Sequence, residues 1–375
     1  MKAKQLKKKG YSNPLKLIHQ TNTGEMIYRS FNTIIVKFPE NRNSLTISWV
    51  NGGYREDLEA IFNHQLNQEE IDALEDGDVP IFMKETAKNL GMDPEKVSGF
   101  LTVAYMDNLA IVTKSFRKIE VTAVVTAGIE KNGGRAGDPA SYYEENGNYH
   151  FDIGTINTIL IINSKLSEST LLRSVMTAVE AKTVVLQELM APSKYSNGIA
   201  TGSGTDNIAV ISNLESQNIL TNAGKHSKLG ELIGKCVIEA TSEALSKQSD
   251  LNAGSQRDML VRLERFGFSE ENYWQYLKTL DSPLSKDNLM KILHDFSKNP
   301  LVVSMLSSIL HIVDEINWGL LPEIAGKKTA ISMMKTLPTV LEIDKYPQFE
   351  DLFDYNDSII NNWVKISSWC MTWQK

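Results

Sequence analysis

The feature that most limits what this chain can become is a change of pattern near residue 250. Before it, short β-branched runs alternate with helical periodicity. After it, strand patterns vanish and five of the six tryptophans appear: Trp274, Trp318, Trp363, Trp369 and Trp373. Two such regimes call for two cores, and the break is expected within residues 246–255, where Lys, Gln, Ser, Asn and Gly cluster. A length of 375 residues accommodates two to three domains of ordinary size. The expected organisation is a basic flexible segment over 1–27, an α+β domain over 28–249 and an all-α domain over 255–375.

In the first part, residues 33–38 (TIIVKF) and 44–50 (SLTISWV) are β-type runs joined by a PENRN turn, which predicts an antiparallel hairpin. Helical patterns over 67–74 and 81–90 follow, the second ended by Gly91, a residue suited to closing a helix. Strands are expected at 110–116, 119–126, 155–162 and 208–211. Residues 169–189 form a strong helix candidate, with Leu172, Val175, Met176, Val179, Thr183, Leu186 and Leu189 near the spacing of a buried stripe. Residues 229–245 form another. This order matches neither a pure βαβ repeat nor a sandwich, so the expected fold class is α+β: a mixed β-sheet core covered by helices, followed by a smaller all-α domain.

Composition removes several functions. A hydrophobic fraction of 42% and a charged fraction of 23% suit a folded globular chain and exclude a wholly disordered one. The net charge of −7 argues against the broad basic field of a nucleic-acid binder, so no nucleic-acid partner is expected. Cys236 and Cys370 lie far apart, which excludes a disulfide framework and a cysteine-rich zinc site, and no metal site is expected. Cys236, within LIGKCVI, reads as a core residue. Lys2, Lys4, Lys7, Lys8 and Lys9 lead into no apolar segment, so no secretory signal is expected. Apolar runs fall short of the ~18–20 residues of a membrane helix, 301–313 being broken by serines and His311. No membrane partner and a cytoplasmic location are therefore the expectations.

Chemistry is expected in four polar, glycine-rich loops: 49–57 (WVNGGYRED), 126–138 (TAGIEKNGGRAGD), 200–206 (ATGSGTD) and 223–231 (AGKHSKLGE). Glycine lets the main chain approach a ligand, and Asn, Thr, Ser and Asp supply donors and acceptors. Each loop alone reads more readily as a tight turn than as a site; four in one domain favour a shared cavity facing Asp138, Asp206 and His226. The TGSGTD segment could offer backbone N–H groups to an anion, but it lacks the lysine of a phosphate loop and the third glycine of a dinucleotide fingerprint. His226 stands before a helix whose N-cap is expected to be Ser227, where an imidazole and free N–H groups could act together. Glu180 and Lys182 interrupt the apolar helix and, if buried, need partners. No HExxH, GxSxG or SxxK signature occurs.

Taken in series, SWVNGGYREDL (48–58), FNHQ (62–65), TAG (126–128), RAGD (135–138), GTINTI (154–159), EAKT (180–183), ATGSGTD (200–206) and HSKLGELIG (226–234) resemble the adenosylcobinamide amidohydrolase family over about residues 30–247. The resemblance implies corrinoid salvage: hydrolysis of the amide joining the aminopropanol arm of adenosylcobinamide to the corrin ring, giving adenosylcobyric acid and aminopropanol. The implied partner is the corrinoid substrate, which carries its own cobalt, and no further cofactor is required. A homo-oligomer is compatible with the sequence. Candidate substrate contacts in the matching segments are Asn51, Arg55, His64, Asn132, Arg135, Asp138, Thr155, Asn157, Thr201, Ser203, Thr205, Ser227 and Lys228. The mechanism expected has His226, oriented by Asp206 or Glu231, take a proton from water while N–H groups near Ser227 and Lys228 hold the oxyanion. Glu180 is the substitute base, and Thr201, Ser203 or Thr205 would serve a covalent version.

After residue 256, helices are expected over 257–266, 269–280, 285–296 and 301–318, punctuated by prolines. Their function is not legible. The rival to the hydrolase is a non-catalytic corrinoid-binding module; a nucleotide-dependent enzyme using residues 201–206 is a third reading.

Overall fold

The computed structural model describes residues 15–75, 78–143, 154–279 and 285–373. The chain divides into two compact units, Met1–Asn252 and Ala253–Lys375. In chain order the first contains β1 (Lys16–Gln20), β2 (Met26–Ser30), β3 (Thr33–Lys37), β4 (Arg42–Thr46), β5 (Gly53–Arg55), β6 (Ala60–Gln65), α1 (Gln68–Glu75), α2 (Val79–Asn89), β7 (Val97–Thr102), β8 (Ala110–Phe116), β9 (Ile119–Gly128), β10 (Gly133–Gly134), β11 (Thr155–Ile162), β12 (Lys165–Leu166), α3 (Glu168–Glu188), β13 (Gly202–Ser203), β14 (Asn207–Asn213), β15 (Ile219–Leu220) and α4 (Lys228–Ser249).

These elements form two mixed sheets, ordered β1-β2-β3-β6-β7 and β5-β4-β14-β11-β9-β8, with β10–β13 and β12–β15 as small side pairings. The neighbours β6–β7 and β11–β14 are parallel. Successive strand residues point to opposite faces, so a fully apolar run must be covered on both. Ile34, Val36, Ile61, Val124, Ile159 and Ile211 fill a layer between the sheets. The alternate residues Ile35 and Phe62 face α1 and α2, while Val125, Leu160 and Val210 face α3 and α4. The result is four layers, α/β/β/α. The α+β class holds, with two stacked sheets in place of one.

Three expectations are corrected. The hairpin between 33–38 and 44–50 does not form: β3 pairs with β2 and β6 in one sheet and β4 with β14 and β5 in the other, so the PENRN turn is a crossing between layers. Local sequence favours a turn but cannot say which strand a buried run will pair with. The flexible segment expected over 1–27 contains the paired strands β1 and the start of β2; the basic residues 2–9 lie outside the described residues. On α3, Leu172, Met176 and Val179 are exposed, while Leu186 is buried and Val175 and Leu189 pack against the core as expected; the rest of the buried stripe is Thr170, Leu171, Ser174, Thr177, Ala178, Ala181 and Val185. Small residues let helices pack closely, and size-weighted hydrophobicity points to the wrong face.

The inter-sheet layer is closed at one end by a buried ion pair. Arg42, the first residue of β4, donates from Nε to Glu25 Oε1 at 2.7 Å, from Nη1 to Asn213 Oδ1 at 2.9 Å and from Nη2 to the Thr23 carbonyl at 2.8 Å. Both charged side chains are buried. Burial pushes the Glu25 carboxyl up, but hydrogen bonds from Thr21, Arg42 and Thr23 outweigh it and the net shift is downward.

The second unit is helical: α5 (Met259–Glu264), α6 (Glu270–Leu277), α7 (Lys286–Ser297), α8 (Pro300–Asn317), α9 (Glu323–Met334), α10 (Leu337–Val340), α11 (Phe349–Leu352) and α12 (Ile359–Trp373). Its own core includes Tyr273, Phe296, Leu306 and Trp363. Against expectation, one helix among the described residues, α8, is long and apolar enough to cross a membrane by length and composition. Its Asp314 is nevertheless buried in a two-pronged pair with Arg265, at 2.8 and 2.7 Å.

Glu25→Ala should strand Arg42 as a buried charge and lower stability by about 3–5 kcal/mol, measured by urea unfolding. The Glu25 carboxyl lies below its ordinary 4.5 in the folded chain, so its contribution is complete above pH 4.5 and should fade as pH falls through the folded value. Glu25→Gln should lack that part of the acid sensitivity.

Candidate functional site

At the opposite end of the inter-sheet layer the apolar packing gives way to amides and hydroxyls. Asn63 on β6 and Asn157 on β11 belong to different sheets and meet across the gap, Asn157 Nδ2 donating to Asn63 Oδ1 at 2.8 Å and to the Leu101 carbonyl at 3.0 Å. Asn63 Nδ2 donates to Thr126 Oγ1 at 2.8 Å, and Asn207 Nδ2 donates to Asn157 Oδ1 at 3.0 Å. Both central asparagines are buried, so each polar atom needs such a partner.

Beyond this network lies a cavity of about 220 Å³. Trp49 with Ile47, the end of β7, Val79 and Met83 of α2, Gly154–Thr155 and residues 204–207 line it. The parallel pairing of β11 with β14 sets the last two segments side by side. Gly154 adopts φ +123°, and a Cβ there would stand 2.3 Å from Asn132 Oδ1, so only glycine fits. Asn132 Nδ2 donates to the Gly154 carbonyl at 2.6 Å, while Asn132 Oδ1 is buried with no hydrogen-bond partner.

The one carboxylate among the lining residues is Asp206. Its Oδ1 accepts from Ile156 N at 2.9 Å and Ser203 Oγ at 2.6 Å; its Oδ2 accepts from Ser203 N at 3.0 Å and from the Lys182 ammonium. Lys182 and Asp206 are both largely buried. This anchoring corrects the phosphate-loop reading of residues 201–206, because the Ser203 N–H that an anion would need already serves a carboxylate.

The predicted residues separate into three groups. Thr155, Thr205 and Asp206 form part of the cavity wall. Asn132, Asn157 and Ser203 stand behind it, bonded to the wall: Thr155 Oγ1 donates to the Thr205 carbonyl at 2.5 Å, and Ser203 Oγ lies 3.2 Å from the Gly154 carbonyl. The rest are not among the lining residues. Asn51 and Arg55 brace their loop, Asn51 Nδ2 donating to the Pro94 and Val97 carbonyls at 2.7 Å and Arg55 pairing with Asp57. His64 faces the helical layer, between Thr33 Oγ1 at 2.8 Å and Glu70 Oε1 at 3.3 Å. Asp138 ties its own loop; burial raises its carboxyl, but hydrogen bonds from Ser193 and Ser196 and the Arg135 N–H bring it below the usual value. Thr201 Oγ1 accepts from Ala136 N at 2.9 Å, beside Arg135.

The expected His226 centre does not join the cavity either. His226 is exposed, Ser227 caps α4 through Gly230 N at 3.0 Å, and Glu180 pairs with Lys225. Hydrogen bonds from Lys228 and then Lys235 hold the Glu231 carboxyl at about 2, too low for a useful base near neutrality. Asp206 makes no hydrogen bond to His226, so of Asp138, Asp206 and His226 only Asp206 faces the cavity. Cys236 is buried, and burial pushes its thiol up to about 12. Among the described residues no cluster of His, Cys, Asp or Glu is placed to hold a metal. Sequence reading missed Asn63 and Asn207; a lone amide inside an apolar strand is the signal that could have found them, since it must meet a partner.

The four-layer domain thus carries, at one end of its inter-sheet layer, a cavity with apolar walls that include Trp49, Leu66, Val79 and Met83, and with Thr102, Thr155, Thr205, Asn207 and Asp206 as its polar side chains. The model of the adenosylcobinamide amidohydrolase family (CbiZ) matches residues 16–253, and the chain belongs to that family. It is 32% identical over 231 residues to the uncharacterized protein MJ1613 of Methanocaldococcus jannaschii, covering 58% of this chain and 88% of that one. It is 29% identical over 139 residues to an adenosylcobinamide amidohydrolase of Methanosarcina mazei, covering 37% of this chain and 58% of the relative. Among solved structures, the PH0078 protein from Pyrococcus horikoshii OT3 aligns with TM-score 0.29 and 10% identity, over 63% of this chain and 82% of that one.

Asn157→Leu should leave buried groups on Asn63 and Leu101 unpaired, at a cost of about 1–3 kcal/mol each. A double-mutant cycle with Asn63→Leu, read by urea unfolding, should give a coupling of about 0.5–3 kcal/mol.

Proposed function

We propose that the chain hydrolyses the amide joining the aminopropanol arm of adenosylcobinamide to the corrin ring, giving adenosylcobyric acid and aminopropanol. One observation carries the reading: the cavity is lined by residues from widely separated segments that all fall inside the stretch matched by the family. An amide arm ending in a hydroxyl brings donors and an acceptor that an apolar pocket would leave unpaired. The wall at Thr155, Thr205 and Asn207 meets them in kind.

Asp206 is the proton acceptor in this mechanism. The Ser203 hydroxyl has one proton and two acceptors in reach, Asp206 Oδ1 at 2.6 Å and the Gly154 carbonyl at 3.2 Å. Displacing that hydroxyl from Asp206 lets Oδ1 take a proton from water as that water attacks the amide carbon. The C–N bond then breaks, and the proton passes to the departing aminopropanol nitrogen. Lys182 supplies the opposite charge beside the carboxylate.

Purified protein should release aminopropanol from adenosylcobinamide. Asp206→Asn should reduce turnover by about 10²–10⁴-fold with corrinoid binding retained, and His226→Ala should stay within about two-fold of wild type. An inactive His226→Ala beside an active Asp206→Asn would move the chemistry to the head of α4. Corrinoid binding without release would leave the non-catalytic module.

A further inference from the structure

The cavity is smaller than the ligand the proposed reaction requires. Its volume of about 220 Å³ falls below the ~300 Å³ at which pockets begin to enclose drug-sized molecules, and an amide-fringed macrocycle is larger than those. On the amidohydrolase reading, a volume of this size takes the arm and leaves the larger ring outside. Something outside the cavity must therefore hold the ring.

At the mouth three large apolar side chains that line the cavity also stand open to solvent: Ile47 at 55%, Trp49 at 52% and Tyr142 at 46% exposure. Trp49 is firmly mounted. Ser48 Oγ contacts the Gly99 carbonyl at 2.8 Å and the Val50 carbonyl at 3.0 Å. Asn51, in the left-handed region at φ +51°, fixes the backbone just beyond Trp49 through its paired bonds to the Pro94 and Val97 carbonyls. Braced backbone on both sides of an exposed indole keeps a flat apolar surface ready, at little ordering cost on binding.

We infer that Trp49, flanked by Ile47 and Tyr142, is a platform on which a flat face of the corrinoid ring rests outside the cavity while only the aminopropanol arm goes in. Indole and ring both offer broad apolar faces, and stacking them removes both from water. The inference rests on the amidohydrolase reading for the identity of the ligand. It makes Trp49 a binding and specificity residue, touching the ring and not the scissile amide. It also assigns the bracing residues Asn51 and Arg55 a positioning role in the loop that carries Trp49.

The test uses the full chain, with adenosylcobinamide as probe, measuring equilibrium binding and aminopropanol release separately. Trp49→Ala should raise both Kd and KM about ten-fold or more with kcat largely retained, and Trp49→Phe should recover most of the loss. Ile47→Ser, an independent change on the same ledge, should raise KM in the same direction should Trp49→Ala fail to fold. Unchanged Kd and KM in folded Trp49→Ala and Ile47→Ser, with release intact, would overturn the platform and leave the hydrolase standing. Binding that depends on Trp49 without any release by wild type would support the platform and overturn the hydrolase. No binding by wild type would overturn both.

Discussion

The hydrogen bond between Asn63 and Asn157 determines where this domain can have a site at all. Two sheets packed through aliphatic side chains have no reason to stop packing, and their common layer would run closed from end to end. Two short amides meeting across that layer interrupt it, because an amide withdrawn from water must be answered by donors and acceptors and not by methyl groups. The bond at 2.8 Å holds the sheets at a fixed separation, and Thr126, Asn207 and the Leu101 carbonyl complete the set. The opposite end is closed by Arg42 and Glu25. One end is a charged clamp with its partners fully engaged; the other is a neutral clamp that opens onto a cavity.

The crossover connection then furnishes the wall. Strand β11, helix α3 and strand β14 form a βαβ unit whose parallel strands start at Thr155 and Asn207, so the turns before them are neighbours. Helix α3 returns alongside and delivers Lys182, near its C-terminal end, to Asp206. Space for that ion pair comes from Gly202, where a Cβ would stand 2.4 Å from Asp206 Oδ2 and 2.7 Å from Lys182 Nζ. The glycines of the 200–206 loop thus make room for an internal carboxylate, not for a phosphate.

How much of this could be read beforehand follows from what each signal measures. Strands β8, β9, β11 and β14 and helices α3 and α4 were legible because their runs are long and their periods clear. Pairing was not: Ile34, Ile35 and Val36 announce a strand buried on both faces, which is silent about its neighbours. The orientation of α3 was misread because Ser174, Ala178 and Ala181 bury by closeness of approach, while Leu172 and Met176 look like core and are not. At the site, chemistry alone drew attention to His226, which is exposed outside the cavity, whereas Asp206 forms part of its wall. Lys182 was correctly marked as a charge that needs a partner, and its partner lay in the loop already under suspicion.

The division of the chain bears on the chemistry in a further way. Every residue lining the cavity lies before Asn252, and the family match ends at residue 253, beside the division between the units. The second unit has its own core around Trp363 and Tyr273 and its own buried ion pair, Arg265 with Asp314. Asp206, Ser203 and Lys182, the residues that carry the proposed proton transfer, all belong to the first unit.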